Sequence, residues 1–281
     1  MMGQPAPLLD GQSPSPPMKL CRFQLLDSQH HAQSRTVAPA HFGAIEGEQV
    51  FEISSVYEPR QRTGKNWPLA SVKLLPPSEP SKIVCVGRNY AEHAAELGNS
   101  VPKEPLIFLK PPSAIIAPED PIILTPLSER VDHEGELAIV IGKRCARLKP
   151  SDDVRPYVLG YTCLNDVTAR DLQKKDVQFT RAKGFDTFCP FGPVIETELD
   201  LSTATVETFV NKKKRQSARI AEMIFPVDVI IRWISQVMTL LPGDVIATGT
   251  PSGVGPLVAG DVVEVSVSGI GTLRNRVVAA D

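Results

Sequence analysis

Residues 131–142 read VDHEGELAIVIG. The stretch opens as a charged loop and closes as a buried strand. In extended chain the side chains alternate, so Asp132, Glu134 and Glu136 share one face. Like charges on one face repel, and removing them from water adds to the cost. Two readings remain open for this segment alone: an exposed, solvated edge, or a divalent cation that turns the repulsion into attraction. Oxygen-only ligands would select a hard ion, Mg²⁺ or Mn²⁺, over zinc.

A third ligand has to come from elsewhere in the chain. In GYTCLNDVTARDLQ (residues 160–173), Asp166 stands where an apolar strand gives way to a polar run. It is a turn or helix-capping residue, or the remaining ligand. Asp171 reads as a first-turn helix residue.

Outward from these segments, the chain has 281 residues, 42% of them hydrophobic, and a formal net charge of -2. That suits one large domain with a small accessory piece. The near-neutral balance gives no footprint for nucleic acid. The one basic run, NKKKRQ at 211–216, has no interleaved aromatics for base stacking and reads as a solvated turn. No apolar run is long enough to span a membrane as a helix. Cys21, Cys85, Cys145, Cys163 and Cys189 are scattered, with no C-x-x-C pair, which speaks against a disulfide framework or a zinc site. The start, MMGQPAPLLDGQSPSPP, lacks the charged and apolar regions of a signal peptide. We read residues 1–17 as a disordered extension, with Met18 an alternative start, in a cytoplasmic protein.

From Met18 onward, MKLCRFQLL, HFGAIEG and QVFEISSV are short alternating runs of a small β-rich unit. The polar, Pro-bearing stretch from about Tyr57 to Pro80 reads as a linker. KIVCVG opens the main domain as a buried strand. NYAEHAAELG follows as a short helix stopped at Gly98. DVIIRWISQVMTL at 228–240 has apolar Val229, Ile230, Trp233, Ile234 and Val237 at helical spacing. VVEVSV, SGIG and TLRNRVV form a closing hairpin. Many short strands and few helices imply a β-dominated α+β fold.

His93 and Glu96 fall three apart on one helical face. They are a surface pair, or a general base with its orienting carboxylate. Lys183, in RAKGFDTFCP, is a surface lysine or a cation for an enolate. GTPSGVG at 249–255 lacks the Walker and Rossmann signatures. Its amides and Thr250 would suit a substrate carboxylate.

In this order, VGRNYAEHAAELG, PLIFLKPPSAI, VDHEGELAIVIGK, GYTCLNDVTARDLQ, RAKGFDTFCPFGP and LLPGDVIATGTPSGVG resemble the fumarylacetoacetate hydrolase family over roughly residues 82–275. The segment before resembles the small N-terminal domain of its shorter bacterial members. The resemblance implies a mixed β-roll with short helices, with residues 18–75 as the small domain and linker and 76–281 as the catalytic domain. It implies a homodimer, and Mg²⁺ or Mn²⁺ on Glu134, Glu136 and Asp166, with Asp132 outside the ligand set. It also implies a His93–Glu96 dyad on a mobile lid, Lys183 and Gln173 facing the substrate, Arg88 and Tyr90 lining the site, and Thr250 on the substrate carboxylate.

The expected reaction is hydrolysis of a C–C bond in a 2,4-dioxo acid of the acylpyruvate type, through a metal-bound enolate. Isomerisation of 2-hydroxymuconate-type diacids and oxaloacetate decarboxylation use the same enolate, so the fold cannot choose among them. A non-catalytic, metal-stabilised scaffold is the rival outside enzymology.

Overall fold

The computed structural model describes residues 17–26 and 39–280. All of the expected disordered extension except Pro17 lies outside the described residues. Among the described residues, twelve strands form one large mixed sheet. Its main path runs Arg62–Pro68, Gln49–Ile53, His41–Glu46, Lys19–Leu25, Cys189–Glu196, Val158–Asn165, Gly135–Ile141, Val245–Ala247, Ile83–Gly87 and Leu106–Lys110. A five-stranded sheet carries the C-terminal hairpin Val262–Val267 and Gly271–Val278. A small three-stranded sheet joins Thr168–Ala169, Val131–His133 and Gly255–Pro256. The β-dominated α+β fold is as the sequence led us to expect.

The LAIVIG run is apolar without alternation because Gly135–Ile141 is buried along its whole length. Val158–Asn165 pairs with it on one side and Val245–Ala247 on the other. A side chain at Gly135 would meet Thr208 Oγ1 at 2.0 Å, so glycine is what lets the two sheets approach here.

Two expectations need correction. The stretch 57–80 is not a linker: Arg62–Pro68 pairs with Gln49–Ile53, and Val72–Leu75 with Lys19–Leu25. Arg62–Pro68 is the exposed edge of the sheet, which explains its polar composition and tolerates its proline. The long helix spans Val227–Val237 rather than reaching 240, because Leu240 exchanges both backbone bonds with Cys145. Its core face is Val227, Ile230, Ile231 and Ile234, whereas Val229 and Val237 face outward. The small N-terminal unit also continues the large sheet, since Leu20 pairs with Ile195.

Candidate metal centre and active site

Glu134 occupies the one-residue break between the strands Val131–His133 and Gly135–Ile141. Its amide donates to Asn165 Oδ1 at 2.9 Å, and its carbonyl accepts from the Asp166 amide at 2.8 Å. These bonds fix the ends of two adjacent strands so that three acids converge. Ligand atoms of Glu134, Glu136 and Asp166 all lie within 4.8 Å of one another, in the buried interior. The solvated-edge reading is thereby excluded.

Cations surround the cluster. Lys183 Nζ reaches Glu134 Oε2 at 2.8 Å and Asp166 Oδ2 at 2.5 Å. Lys110 Nζ donates to Asp166 Oδ1 at 2.6 Å, and Arg170 donates to Glu134 Oε1. Asp132 turns away to Arg170 Nε at 2.9 Å and to Arg130, outside the cluster as expected. Burial alone would raise the Glu134 carboxyl, but Lys183 and Arg170 outweigh it and hold it well below its ordinary value. Burial likewise favours a neutral Lys183, and Asp166 and Glu134 override it, so its ammonium stays charged.

Glu136 is different. Its carboxylate accepts from the Gly249 amide at 2.8 Å, and it has no ion pair with a described residue. Burial first, then Asp166 and Glu134, push its pKa well above the usual range. A buried carboxylate facing two others with one amide for company lacks a counter-ion. A hard divalent cation is what this oxygen-only donor set fits.

Nine of the ten residues singled out in the sequence line one cavity of about 520 Å³: Arg88, His93, Glu96, Glu134, Glu136, Asp166, Gln173, Lys183 and Thr250. His93 is buried on the helix Ala91–Glu96, with Nδ1 3.3 Å from Glu96 Oε2. Lys183 is only 2% exposed, which excludes a surface lysine. Gln173 accepts from Arg170 Nη1 at 2.7 Å. Arg88 takes a left-handed backbone, φ 58°, and makes no ion pair with a described residue.

Tyr90 departs from expectation. Its ring packs in the hydrophobic core rather than lining the cavity, and its buried hydroxyl has no partner among the described residues. Thr250 reaches the cavity, but its hydroxyl donates to the Gly135 carbonyl at 2.9 Å and accepts from Gln216 Nε2 at 2.7 Å. Its one proton is therefore committed to the protein and not to a substrate. The amides of GTPSGVG also serve the protein: Gly249 holds Glu136, and Gly253 holds Glu96 at 3.1 Å.

The sequence reading missed four residues. Lys110 and Arg170 are the buried counter-ions described above. Asn89 is fully buried and clamps Thr248 O, Phe225 O and the Phe225 amide, which supports the strained backbone at Arg88. Gln216 ties His133 and Gly135 to Thr250 and Pro251. Asn89, Lys110 and Arg170 stand inside motifs already quoted, which was the available signal.

The family described as fumarylacetoacetate (FAA) hydrolase, C-terminal, matches residues 82–278. The chain belongs to the fumarylacetoacetate hydrolase family. A second family, described as Rv2993c-like, N-terminal, matches residues 18–77. A crystal structure of 2-hydroxyhepta-2,4-diene-1,7-dioate isomerase from Mycobacterium marinum is 46% identical, with a TM-score of 0.82, over 93% of this chain and 98% of that one. A mitochondrial oxaloacetate tautomerase of Bos taurus is 44% identical over 73% of this chain and 69% of its own. Maleylpyruvate hydrolase from Sphingobium sp. SYK-6, in complex with manganese (II) ion and pyruvate, is 32% identical, with a TM-score of 0.75, over 94% of this chain and 100% of that one. Fumarylacetoacetate hydrolase family members thus include isomerases, tautomerases and hydrolases, and one neighbour holds a divalent metal at 32% identity. No helix among the described residues is long and apolar enough to cross a membrane.

Proposed function

We propose that this chain is a divalent-metal-dependent enzyme that makes and reprotonates the enolate of a small 2-oxo acid, as a keto–enol tautomerase or double-bond isomerase. The observation that carries the reading is the placement of His93, oriented by Glu96, in the same cavity as the carboxylate cluster and Lys183. A cation held by Glu134, Glu136 and Asp166 would supply Lewis-acid stabilisation of the developing negative charge.

The chain's own residues do the rest. With Nδ1 engaged by Glu96, the His93 imidazole has Nε2 left for the substrate. It carries a proton between the carbon beside the 2-oxo group and the enol oxygen or, in a conjugated diacid, a carbon further along the chain. The C–H electron pair becomes the C=C bond of the enolate, the carbonyl pair moves onto the 2-oxo oxygen, and the Lys183 ammonium offsets the charge. Arg88, without an ion pair among the described residues, takes a substrate carboxylate.

Hydrolysis of a 2,4-dioxo acid is the second reading, and the dyad itself favours it. The same imidazole can activate a water, and about 520 Å³ leaves room for a small acid and that water. Proton transfer comes first because it needs no group beyond those already in the cavity. With Mg²⁺, the protein is offered enol-oxaloacetate, a 2-hydroxymuconate-type diacid and an acylpyruvate, with turnover followed by ultraviolet absorbance and products identified by mass. Isomers of unchanged mass support the first reading. Cleaved acylpyruvate with no isomerisation would replace it with the second. No turnover of any of them would sink both.

A further inference from the structure

Asp166 and Glu134 each divide their two oxygens between different cations. On Asp166, Oδ1 belongs to Lys110 and Oδ2 to Lys183. On Glu134, Oε1 belongs to Arg170 and Oε2 to Lys183. The outer cations are anchored independently. Lys110 is 1% exposed, also donates to Val167 O at 3.2 Å, and stands outside the cavity lining. Arg170 is tied to Asp132 and to Gln173. Lys183 has no such anchor. The two hydrogen bonds of its ammonium with described residues are those to Glu134 and Asp166, it lies 5.1 Å from the Phe108 ring centroid, and it borders the cavity.

With Asp166 Oδ1 committed to Lys110 and Glu134 Oε1 to Arg170, Glu134 Oε2 and Asp166 Oδ2 are the oxygens left on these acids to hold a divalent ion. An ammonium and a divalent ion cannot both sit between the same two oxygens, because nothing there screens their repulsion. Lysine has a long, flexible stem and yields, whereas the Arg170 fork is fixed by three partners. We infer that Lys110 and Arg170 are fixed counter-ions that aim Asp166 and Glu134, and that Lys183 is an exchangeable one, displaced by the divalent ion into the cavity to meet an anionic substrate. Lys110 and Arg170 are thus positioning residues, and binding of the ion itself brings Lys183 to the substrate.

The inference rests on the divalent-ion reading of the cluster, and its test separates the two. Mn²⁺ is titrated into wild type, Lys183→Met and Lys110→Met, with free Mn²⁺ followed by electron paramagnetic resonance. Both variants remove one positive charge beside Asp166. Lys183→Met is expected to bind Mn²⁺ on the order of tenfold tighter, since its competitor is gone, while Lys110→Met gains nothing. Unchanged or weaker binding by Lys183→Met, or equal tightening in both variants, overturns the exchange. Wild type that binds no Mn²⁺ overturns the metal reading instead. Should a variant misfold, a crystal structure of wild type with Mn²⁺ decides. Lys183 Nζ is expected out of hydrogen-bond reach of both oxygens, with the Lys110–Asp166 and Arg170–Glu134 contacts kept. Lys183 still bridging Glu134 and Asp166 overturns the exchange.

Discussion

Glu136, in the carboxylate cluster, and Glu96, beside His93, are held by two amides of one loop. Gly249 N donates to Glu136 Oε2 at 2.8 Å, and Gly253 N to Glu96 Oε1 at 3.1 Å. The loop therefore sets the distance between the two halves of the site. Gln216 seats it, donating to Thr250 Oγ1 and to Pro251 O, both at 2.7 Å.

A side chain at Gly253 would meet Arg215 O at 2.0 Å, on a backbone with φ +97° that disfavours other residues. Gly253→Ala should lift this end of the loop and release Glu96. We expect turnover to fall about tenfold or more, because a general base loses its orienting carboxylate. Mn²⁺ affinity should stay near wild type, since Glu136 is held at the other end. An equal loss of both, measured by steady-state kinetics and metal titration, would show that the loop acts as one rigid piece.

Gln216→Leu leaves the Pro251 carbonyl and the Gly135 amide without their partner in a buried setting, while Thr250 keeps its bond to the Gly135 carbonyl. A loss of roughly 1–3 kcal/mol in stability is expected for each group so stranded. Urea unfolding measures it, and a change within error would mean that water replaces the glutamine.

The His41–Glu52–Thr63 contact predicts an acid-sensitive N-terminal unit. Thr63 Oγ1 donates to Glu52 Oε2 at 2.5 Å, and His41 Nδ1 lies 2.6 Å from Oε1. The Thr63 bond, opposed by burial and aided by His41, holds the Glu52 carboxyl below its ordinary value. The unfolded chain then takes this proton more readily than the folded one. The stabilisation is present above the ordinary glutamate pKa of about 4.3, and is lost as pH falls through the lower folded value. Thr63→Val should flatten that acid-side loss in urea unfolding between neutral pH and the acid limit. Superimposable profiles would contradict it.

Leu106 and Leu109 stand 37% and 46% exposed on the strand at one edge of the large sheet. An apolar edge invites pairing unless it is covered. We propose a C2 homodimer, with a light-scattering mass of twice 30.6 kDa. A monomer mass at micromolar concentration rejects it.

The carboxylate cluster was legible because clustered acids before a buried strand carry an electrostatic cost that a cation would remove. His93 and Glu96 were legible because helical spacing is local. Lys110 was not: it closes the apolar run LIFLK, and its meeting with Asp166 depends on the sheet order. Gln216 hid in the basic run 211–216 for the same reason. Lys212 and Arg215 there are solvated, as read, but only residues 211–212 turn: Lys213–Arg219 is a strand paired with Thr205–Val210, and it buries Gln216. The stretch 57–80 was misread because an exposed edge strand carries linker-like polarity and prolines.

The central claim is that His93 moves a proton on a 2-oxo acid bound beside the carboxylate cluster. The most direct test is the rate at which enol-oxaloacetate loses its ultraviolet absorbance, with Mg²⁺, in wild type and His93→Ala. The account predicts a fall on the order of 10²–10⁴-fold in the variant, with metal affinity retained. Ketonisation by His93→Ala at the wild-type rate would contradict it.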